Sequence, residues 1–198
     1  FKILRKKELN PSVTLMDIEA PLIAKKAKAG QFISIYCEDG SRLLPRPISI
    51  CEIDKEDCAL HLVYRIAGAG TEEFSQKQTG DHLSVMGPLG NGFPLKSKKA
   101  FLIGGGIGIP PMLETAKQLN AQKTAVLGYR DELFLNEEFA KYTDVYVATE
   151  DGSSGTKGNV LNAIQEKALE ADVIFACGPT PMLRALKEYA AANHITCW

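Results

Sequence analysis

The 198-residue sequence is poor in several features that would narrow its class at once. Its five cysteines, at 37, 51, 58, 177 and 197, form no C-x-x-C pair. With three histidines, at 61, 82 and 194, they make no ligand cluster, so neither zinc nor iron–sulfur is expected on these residues. An odd and scattered set of cysteines fits reduced thiols in a cytoplasmic protein, most of them buried as small apolar side chains. An excess of either charge is also missing. Lys and Arg number 23 against 24 Asp and Glu, a net charge of −1, which suggests neither nucleic acid nor an acidic membrane as a partner. No apolar run approaches the length of a membrane span. The basic start, Phe1 to Lys7, has no apolar h-region behind it, so no signal peptide is expected. The absence of an initial Met makes the chain read as a trimmed form of something longer. There is no internal repeat and no low-complexity tract.

What is present falls into two rhythms. Hydrophobic residues make up 45% of the chain, enough for a core. Residues 13–18, Gln31–Cys37, Ile48–Ile53 and Ala59–Tyr64 alternate polar with apolar. Asp81–Met86 does the same and is closed by Gly87-Pro88. Strands of this period, parted by turns such as Glu38-Asp39-Gly40, predict an antiparallel barrel or sandwich. One short helix is expected among them, Thr71 to about Gln78, with Thr71 as its N-cap. From Ala100 the pattern changes. Apolar strands at 100–103, 124–127, 144–148 and 172–176 alternate with helices near 111–120, 136–142, 158–169 and 181–193. Met112, Ala116 and Leu119 stripe the first helix, and Met182, Leu186 and Tyr189 or Ala190 the last. That alternation predicts a parallel sheet covered on both faces. The polar basic connector Pro94–Lys99 places the domain boundary, giving a β domain over 1–95 and an α/β domain over 96–198.

The densest motif is Phe101 to Met112, where a short strand breaks into Gly104, Gly105, Gly106 and Gly108 before Pro110-Pro111. Strand, glycine turn and helix start can bind a nucleotide diphosphate. The backbone turns sharply, and the N–H groups and dipole of the helix face the anion. Pro111 suits a first helical turn. Taken alone, the same letters also describe a tight βα turn with no ligand. In Arg46-Pro47-Ile48-Ser49 the Arg offers a rigid fork for phosphate and the Ser a hydroxyl for a ring atom, or the two simply belong to a strand. Val63-Tyr64-Arg65 runs through Gly68 and Gly70 to Thr71, another strand that opens onto a helix start. There backbone N–H groups, the Thr hydroxyl and Arg65 can hold a pyrophosphate, or merely cap a helix. Gly87–Phe93 serves either as a backbone edge for a flat ligand or as a linking turn. Cys177-Gly178-Pro179 and Glu150–Gly158 leave the carboxyl ends of parallel strands, where open α/β sheets bind ligands.

Taken in order, R-P-I-S, Y-R-x-x-G-x-G-T, G-P-L-G-N-G-F, G-G-G-I-G-x-P-P-M, E-D-G-S-x-G-x-x-G and C-G-P-x-P-M-L resemble the ferredoxin–NADP reductase superfamily over nearly the whole chain. Within it they are most similar to the electron-transfer subunit of NAD-dependent dihydroorotate dehydrogenase. The resemblance implies an N-terminal antiparallel FAD-binding β-barrel and a C-terminal Rossmann-like, parallel-sheet NAD-binding domain. It puts Arg46, Pro47, Ile48 and Ser49 on the flavin and its phosphates, with Ser49 near the reactive ring nitrogen. Val63, Tyr64 and Arg65 would line the rest of the FAD, and Gly70 with Thr71 its pyrophosphate. Many members carry Tyr where Ile48 stands, so no aromatic stacking is expected there. Gly104, Gly105, Gly106 and Gly108, with Cys177, Gly178 and Pro179, would hold NAD(H). No acid–base residue is required, since the flavin itself accepts the hydride; Ser49 and Cys177 stand nearest the chemistry.

The implied partner is a dihydroorotate dehydrogenase catalytic subunit, in a heterotetramer serving pyrimidine biosynthesis. Full-length relatives carry a [2Fe–2S] cluster on a cysteine-rich tail. This sequence stops at Thr196-Cys197-Trp198, where such a tail would begin, and Cys197 alone cannot hold a cluster. Asp131 and Glu132 after the second α/β strand would repel a 2′-phosphate, although Arg130 would attract one, so NADH is expected over NADPH. The rival readings are another reductase component of the superfamily, of the sulfhydrogenase diaphorase or ferredoxin reductase type, and a nucleotide-binding regulatory subunit without redox turnover.

Overall fold

Alternation along five strands sends Ile3, Met16, Ile18, Ile33, Ile35, Ile50, Leu60 and Leu62 into one apolar interior, each with at most 1% of its surface exposed. The computed structural model describes residues 1–96, 99–130 and 132–198. Asp131, assigned above to cofactor choice, and Ser97 and Lys98 of the connector lie outside the described residues. The chain divides into two units, Phe1–Gly92 and Phe93–Trp198.

The first unit holds β1 (Ile3–Asn10), β2 (Val13–Glu19), α1 (Pro21–Lys26), β3 (Phe32–Tyr36), β4 (Arg46–Asp54), β5 (Ala59–Arg65), α2 (Ala69–Gln76) and β6 (Ser84–Leu89). The sheet order is β1-β2-β5-β4-β3-β6, antiparallel at every pairing. A bridge between Lys2 and His82, with Ile3 N–H donating to the Asp81 carbonyl at 2.8 Å, brings the two outer strands together and closes the sheet into a barrel. Closure removes the exposed edges that an open sheet would offer for aggregation.

Several expectations need correction here. Strand β1 was not foreseen, because its outward positions are Arg5, Lys7 and Glu8 and only Ile3 is buried, so the run reads as polar. The six-residue α1 was missed for lack of length. β6 does not stop at Gly87-Pro88 but runs through that peptide, which is cis, to Leu89. Helix α2 starts two residues early, with Gly68 as N-cap. Thr71, expected as the N-cap, sits at the third helical position, and its hydroxyl accepts from the N–H of Ala67 and Gly68 and donates to the Gly68 carbonyl.

One charged row crosses the outside of this barrel. Arg5 pairs with Asp17, Asp17 with His61 and His61 with Glu52 across four adjacent strands. Arg5 Nε lies 2.6 Å and His61 Nδ1 2.7 Å from the two Asp17 oxygens. Burial pushes the Asp17 carboxyl up, but the hydrogen bonds and charges of His61 and Arg5 outweigh it and hold the group below its usual 3.8. The Asp17 hydrogen bond raises His61 above 6.5 against its own desolvation, helped by the charges of Asp17 and Glu52. The signs fix the window. A raised His contributes fully below its unfolded pKa and loses that contribution as pH rises through its folded pKa. A depressed Asp contributes above its unfolded pKa and loses it as pH falls. Replacing His61 by Gln should therefore cost about 1–2 kcal/mol of stability, and lower Tm most, between about pH 4 and 6.5, with the deficit shrinking above that range. Thermal melts of both proteins from pH 4 to 9 check this; a deficit that grows with pH would contradict it.

The second unit begins at its own centre. Its elements are β7 (Lys99–Gly105), a 3-10 turn (Gly106–Gly108), α3 (Pro110–Gln118), β8 (Gln122–Tyr129), α4 (Asn136–Ala140), β9 (Asp144–Thr149), β10 (Thr156–Lys157), α5 (Val160–Glu166), β11 (Val173–Cys177), α6 (Thr180–Ala192) and β12 (Thr196–Cys197). The order is β10-β9-β8-β7-β11-β12, parallel throughout. Residues 100–105 are all buried, as the unbroken apolar run requires of a strand covered on both sides. Phe101, Ile103, Val126 and Ile174 pack with Val160, Ile164, Leu186 and Ala190 of α5 and α6. Leu102, Leu127 and Phe175, of opposite parity, are equally buried, and α3 packs on β7 and β11 with Met112, Ala116 and Leu119 enclosed. Each such side chain contributes about 1.5–3 kcal/mol on burial. Among the described residues no helix is long and apolar enough to cross a membrane.

Candidate functional site

In the parallel unit the chain runs outward from β7 through β8 and β9 to β10, then returns to the other side of β7 as β11. The order reverses between β7 and β11, and their carboxyl ends form a switch point of the kind at which α/β sheets bind ligands. Cys177 stands in register with Gly104 there, so the Gly106–Gly108 turn and the Gly178-Pro179 turn leave the sheet side by side. The glycines are demanded by this meeting. A Cβ on Gly108 would lie 2.3 Å from the Cys177 carbonyl oxygen and 2.5 Å from the Gly178 nitrogen. A Cβ on Gly105 would meet Met182 Sδ at 2.6 Å, and one on Gly178 would meet Met182 Cε at 2.5 Å. Gly106 has φ 52°, in the left-handed region. Only a chain without side chains at these points brings two loops close enough to present one backbone surface.

The helix that follows offers less than expected. Pro110 and Pro111 occupy the first positions of α3 and carry no N–H, and the Met112 N–H donates to the Ile109 carbonyl at 3.0 Å. The anion-facing donors at this end are therefore those of the 3-10 turn rather than of the helix. Helix α6 starts at Thr180 behind Pro179, with no side chain capping it, and its first-turn N–H groups have no partner within the helix. Pro179 and Thr180 are exposed. Cys177 is half-buried, and burial pushes its thiol up, so it is a neutral SH at neutral pH rather than a thiolate.

The loops after β8 and β9 leave the same edge. The Tyr129 hydroxyl, buried, reaches the Phe134 carbonyl at 2.8 Å and the Asn136 side chain, tying the first loop down. Arg130 and Glu132 are exposed beyond it. In the second loop the Thr149 hydroxyl donates to the Ser154 carbonyl and accepts from its N–H. Gly155, at φ 65°, passes so near Val147 that a Cβ would be 2.1 Å from its carbonyl oxygen.

In the barrel unit the sequence candidates separate by strand parity. Ile48 and Tyr64 point inward and belong to the core, Tyr64 edge-on to Phe74 of α2 at 6.4 Å. Only their main chain reaches the outer face of the barrel. Desolvation pushes the Tyr64 phenol up to about 12. Its hydroxyl is buried, and the Thr14 side chain, opposite it in the strand pair, offsets only part of the shift. Pro47, Ser49, Val63 and Arg65 take the other face. Ile50 pairs with Leu62, so Ser49 and Val63, one step on along each strand, share that outer side. Arg65 Nε is buried without a partner, an orphaned donor of a kind that native proteins rarely leave.

Arg46 and Gly70, 24 residues apart, are brought into contact. A Cβ on Gly70 would lie 2.4 Å from Arg46 Nε and 3.0 Å from its Cζ. The guanidinium, its Nη1 donating to the Leu44 carbonyl at 2.5 Å, thus lies across the start of α2, beside the N–H groups that have no intrahelical acceptor. Positive charge, planar donors and free backbone N–H groups at one point suit a pyrophosphate. Thr71 is next to it, but its single O–H proton is already committed to Gly68. Gly87–Phe93 is a packing segment: Gly87 abuts Ile33, Gly90 abuts Phe32, and the buried Gln31 amide donates to the Gly90 carbonyl at 2.6 Å.

Sequence reasoning missed Arg42, which donates to Glu73 and to the Ala69 carbonyl and so clamps the 38–45 loop onto α2. Nothing in the local sequence marks this clamp, because Ala69 and Glu73 lie 27 and 31 positions away.

No protein-family model matches the chain. Among curated proteins it is 44% identical over 183 residues to the electron transfer subunit of dihydroorotate dehydrogenase B (NAD+) of Bacillus caldolyticus, covering 87% of this chain and 71% of that one. The subunit of that name from Streptococcus mutans is 44% identical over 191 residues, covering 92% and 74%. Among solved structures, the NADH-dependent reduced ferredoxin-NADP oxidoreductase matches all of this chain and 74% of its own, with TM-score 0.90 and 29% identity. A Neisseria gonorrhoeae ferredoxin NADP+ reductase, solved with bound FAD and NADP, has TM-score 0.78 at 19% identity over 96% of this chain and 89% of its own, a likeness of fold. With an antiparallel barrel followed by a parallel α/β unit, and relatives of this identity over nearly three-quarters of their length, the chain belongs to the family of dihydroorotate dehydrogenase B (NAD+) electron transfer subunits, within the ferredoxin–NADP reductase-like fold.

Proposed function

We propose that this chain binds FAD on its barrel unit and NADH on its parallel-sheet unit, and passes electrons from NADH toward a dihydroorotate dehydrogenase catalytic subunit. The observation that carries this reading is the Arg46 guanidinium laid on Gly70 at the start of α2. That arrangement suits the FAD pyrophosphate, with the orphaned Arg65 Nε as a further donor. Pro47, Ser49 and Val63 line the outer strand face for the ring system, and Ile48 and Tyr64 contribute main chain only. FAD, when bound there, would supply the hydride acceptor. The chain's own residues bind and orient: Gly104–Gly108 and Cys177–Pro179 form the backbone surface for the nicotinamide nucleotide. Cys177, its thiol pushed up by burial, contributes a neutral SH.

A [2Fe–2S] cluster is expected of full-length relatives. Among the described residues no three His, Cys, Asp or Glu gather to hold a metal. The chain spans 71–78% of the length of the curated relatives. A cytoplasmic location accompanies the proposed function.

The test is an anaerobic visible spectrum before and after NADH. A flavin spectrum that bleaches supports both cofactors, whereas a colourless protein that cannot be reconstituted with FAD ends the reading. NADH preference is checked by kcat/KM with both nucleotides. Turnover at least tenfold better with NADH is expected, and parity would remove any role for the acidic residues after β8. A ferredoxin-linked reductase is the second reading, favoured by the neighbour of TM-score 0.90. Co-purification with a dihydroorotate-oxidising subunit separates the two.

A further inference from the structure

The Arg46 guanidinium is oriented by a carbonyl that belongs to a loop. Its Nη1 donates to Leu44, two residues back, and Leu44 lies in the 38–45 segment between β3 and β4. The N–H donors of a guanidinium share one rigid plane, so fixing one of them aims the rest. The direction of Arg46 therefore depends on where this loop stands. Leu43 and Leu44 are exposed, so burial of these two side chains does nothing to hold it. The loop is instead tied to α2, and the ties converge on Glu73. One carboxylate oxygen of Glu73 accepts from Arg42 Nη1 at 2.6 Å, and the other accepts from the Glu38 N–H at 2.6 Å. Arg42 also donates to the Ala69 carbonyl at 3.1 Å, and Lys77 pairs with Glu38 at 2.5 Å. The helix itself is seated without help from the loop. Phe74 is fully buried, edge-on to Tyr64, and the Lys6 ammonium of β1 bonds the carbonyls of Ser75 and Lys77 at the carboxyl end of α2. So α2 is the fixed part and the loop the dependent one.

We propose that Glu73 is a positioning residue for the FAD pyrophosphate, a role that rests on the FAD reading above. By holding Arg42 and the Glu38 main chain it keeps the 38–45 loop in place, and the loop keeps the Arg46 guanidinium across the start of α2. Plain electrostatics would give the opposite sign. A carboxylate one turn into a helix whose start takes a pyrophosphate repels that anion, and removing it would leave Arg42 free to attract. On charge alone, loss of Glu73 strengthens FAD binding. On positioning it weakens binding, because a guanidinium released from its fixed direction has to be ordered again when the ligand arrives.

The experiment titrates FAD into the full-chain apo-proteins, with thermal melts alongside. Glu73→Ala should bind FAD about tenfold more weakly, and Arg42→Ala should lose a similar factor. Glu73→Gln keeps one acceptor oxygen and should lose less. Glu72→Ala removes the same charge from the exposed neighbouring position of α2 and should bind FAD at least as well as the wild type. In an Arg46→Ala background, Glu73→Ala should cause no further loss, a result that general damage to the fold would not reproduce. Equal or tighter binding in Glu73→Ala overturns the inference and leaves the FAD reading intact. A loss that adds in full to that of Arg46→Ala also overturns it, because Glu73 would then act by a route other than Arg46. A wild-type protein that takes up no FAD overturns both.

Discussion

Gly108→Ala is expected to destabilise the parallel-sheet unit by about 3 kcal/mol or more, the upper range for forcing an atom into a packed site. Tm should fall by roughly ten degrees. The added Cβ would sit 2.3 Å from the Cys177 carbonyl oxygen and 2.4 Å from its carbon. Both are main-chain atoms in a strand paired to β7 through Gly104, so neither can swing aside as a side-chain tip would. The two loops at the switch point must part, which removes the shared backbone surface assigned to NADH. Flavin content should persist, because the residues assigned to FAD all lie in the other unit. The expected signature is a flavoprotein that melts early and no longer bleaches with NADH. Gly40→Ala is the control, since nothing lies within 4 Å of a Cβ there. If Gly108→Ala melted with the wild type and bleached normally, the loops would not be in the contact described.

That prediction also shows where sequence was sufficient and where it was not. The rhythm change at Ala100 was visible because period-two strands and unbroken apolar strands bury different numbers of faces. Met112, Ala116 and Leu119 fell on one buried stripe as their spacing requires. Strand β1 was invisible because an outer strand with Arg5, Lys7 and Glu8 pointing to water has no apolar rhythm to detect. For the glycines the pattern was legible but its reason was only half so. Gly104, Gly105, Gly108 and Gly178 read as room for a phosphate, yet each is also required by a neighbouring loop or side chain, a tertiary fact no local motif states. Thr71 was misplaced because Gly68, at φ 172° and ψ 176°, caps α2 without a side chain. The inward turn of Ile48 and Tyr64 follows from parity, which the R-P-I-S and Y-R letters do not announce. The Arg46–Gly70 and Arg42–Glu73 contacts span 24 and 31 residues, beyond any reading of local spacing.

The contact between Arg46 and Gly70 supports the most decisive test of the flavin site. Arg46→Ala should weaken FAD binding by about 10- to 100-fold, corresponding to about 1.5–3 kcal/mol for charge-assisted hydrogen bonds to phosphate. Gly70→Ala should have nearly the same effect by a different route. Its Cβ would lie 2.4 Å from Arg46 Nε, but that atom belongs to a flexible side chain, so the guanidinium moves and the barrel does not. Ala also favours a helix over Gly by about 1 kcal/mol, so apo-protein stability should hold or rise while FAD affinity falls. Opposite movement of the two quantities separates a lost ligand contact from a damaged fold. If both changes act through one displaced guanidinium, the double variant should bind FAD no worse than Arg46→Ala alone, a clear failure of additivity. Isothermal titration of the apo-proteins with FAD, alongside their thermal melts, measures every term of this cycle. Additive losses would mean that Gly70 contacts the cofactor independently of Arg46. Unchanged affinity in both single variants would remove the pyrophosphate from the start of α2, and with it the observation on which the proposed function stands.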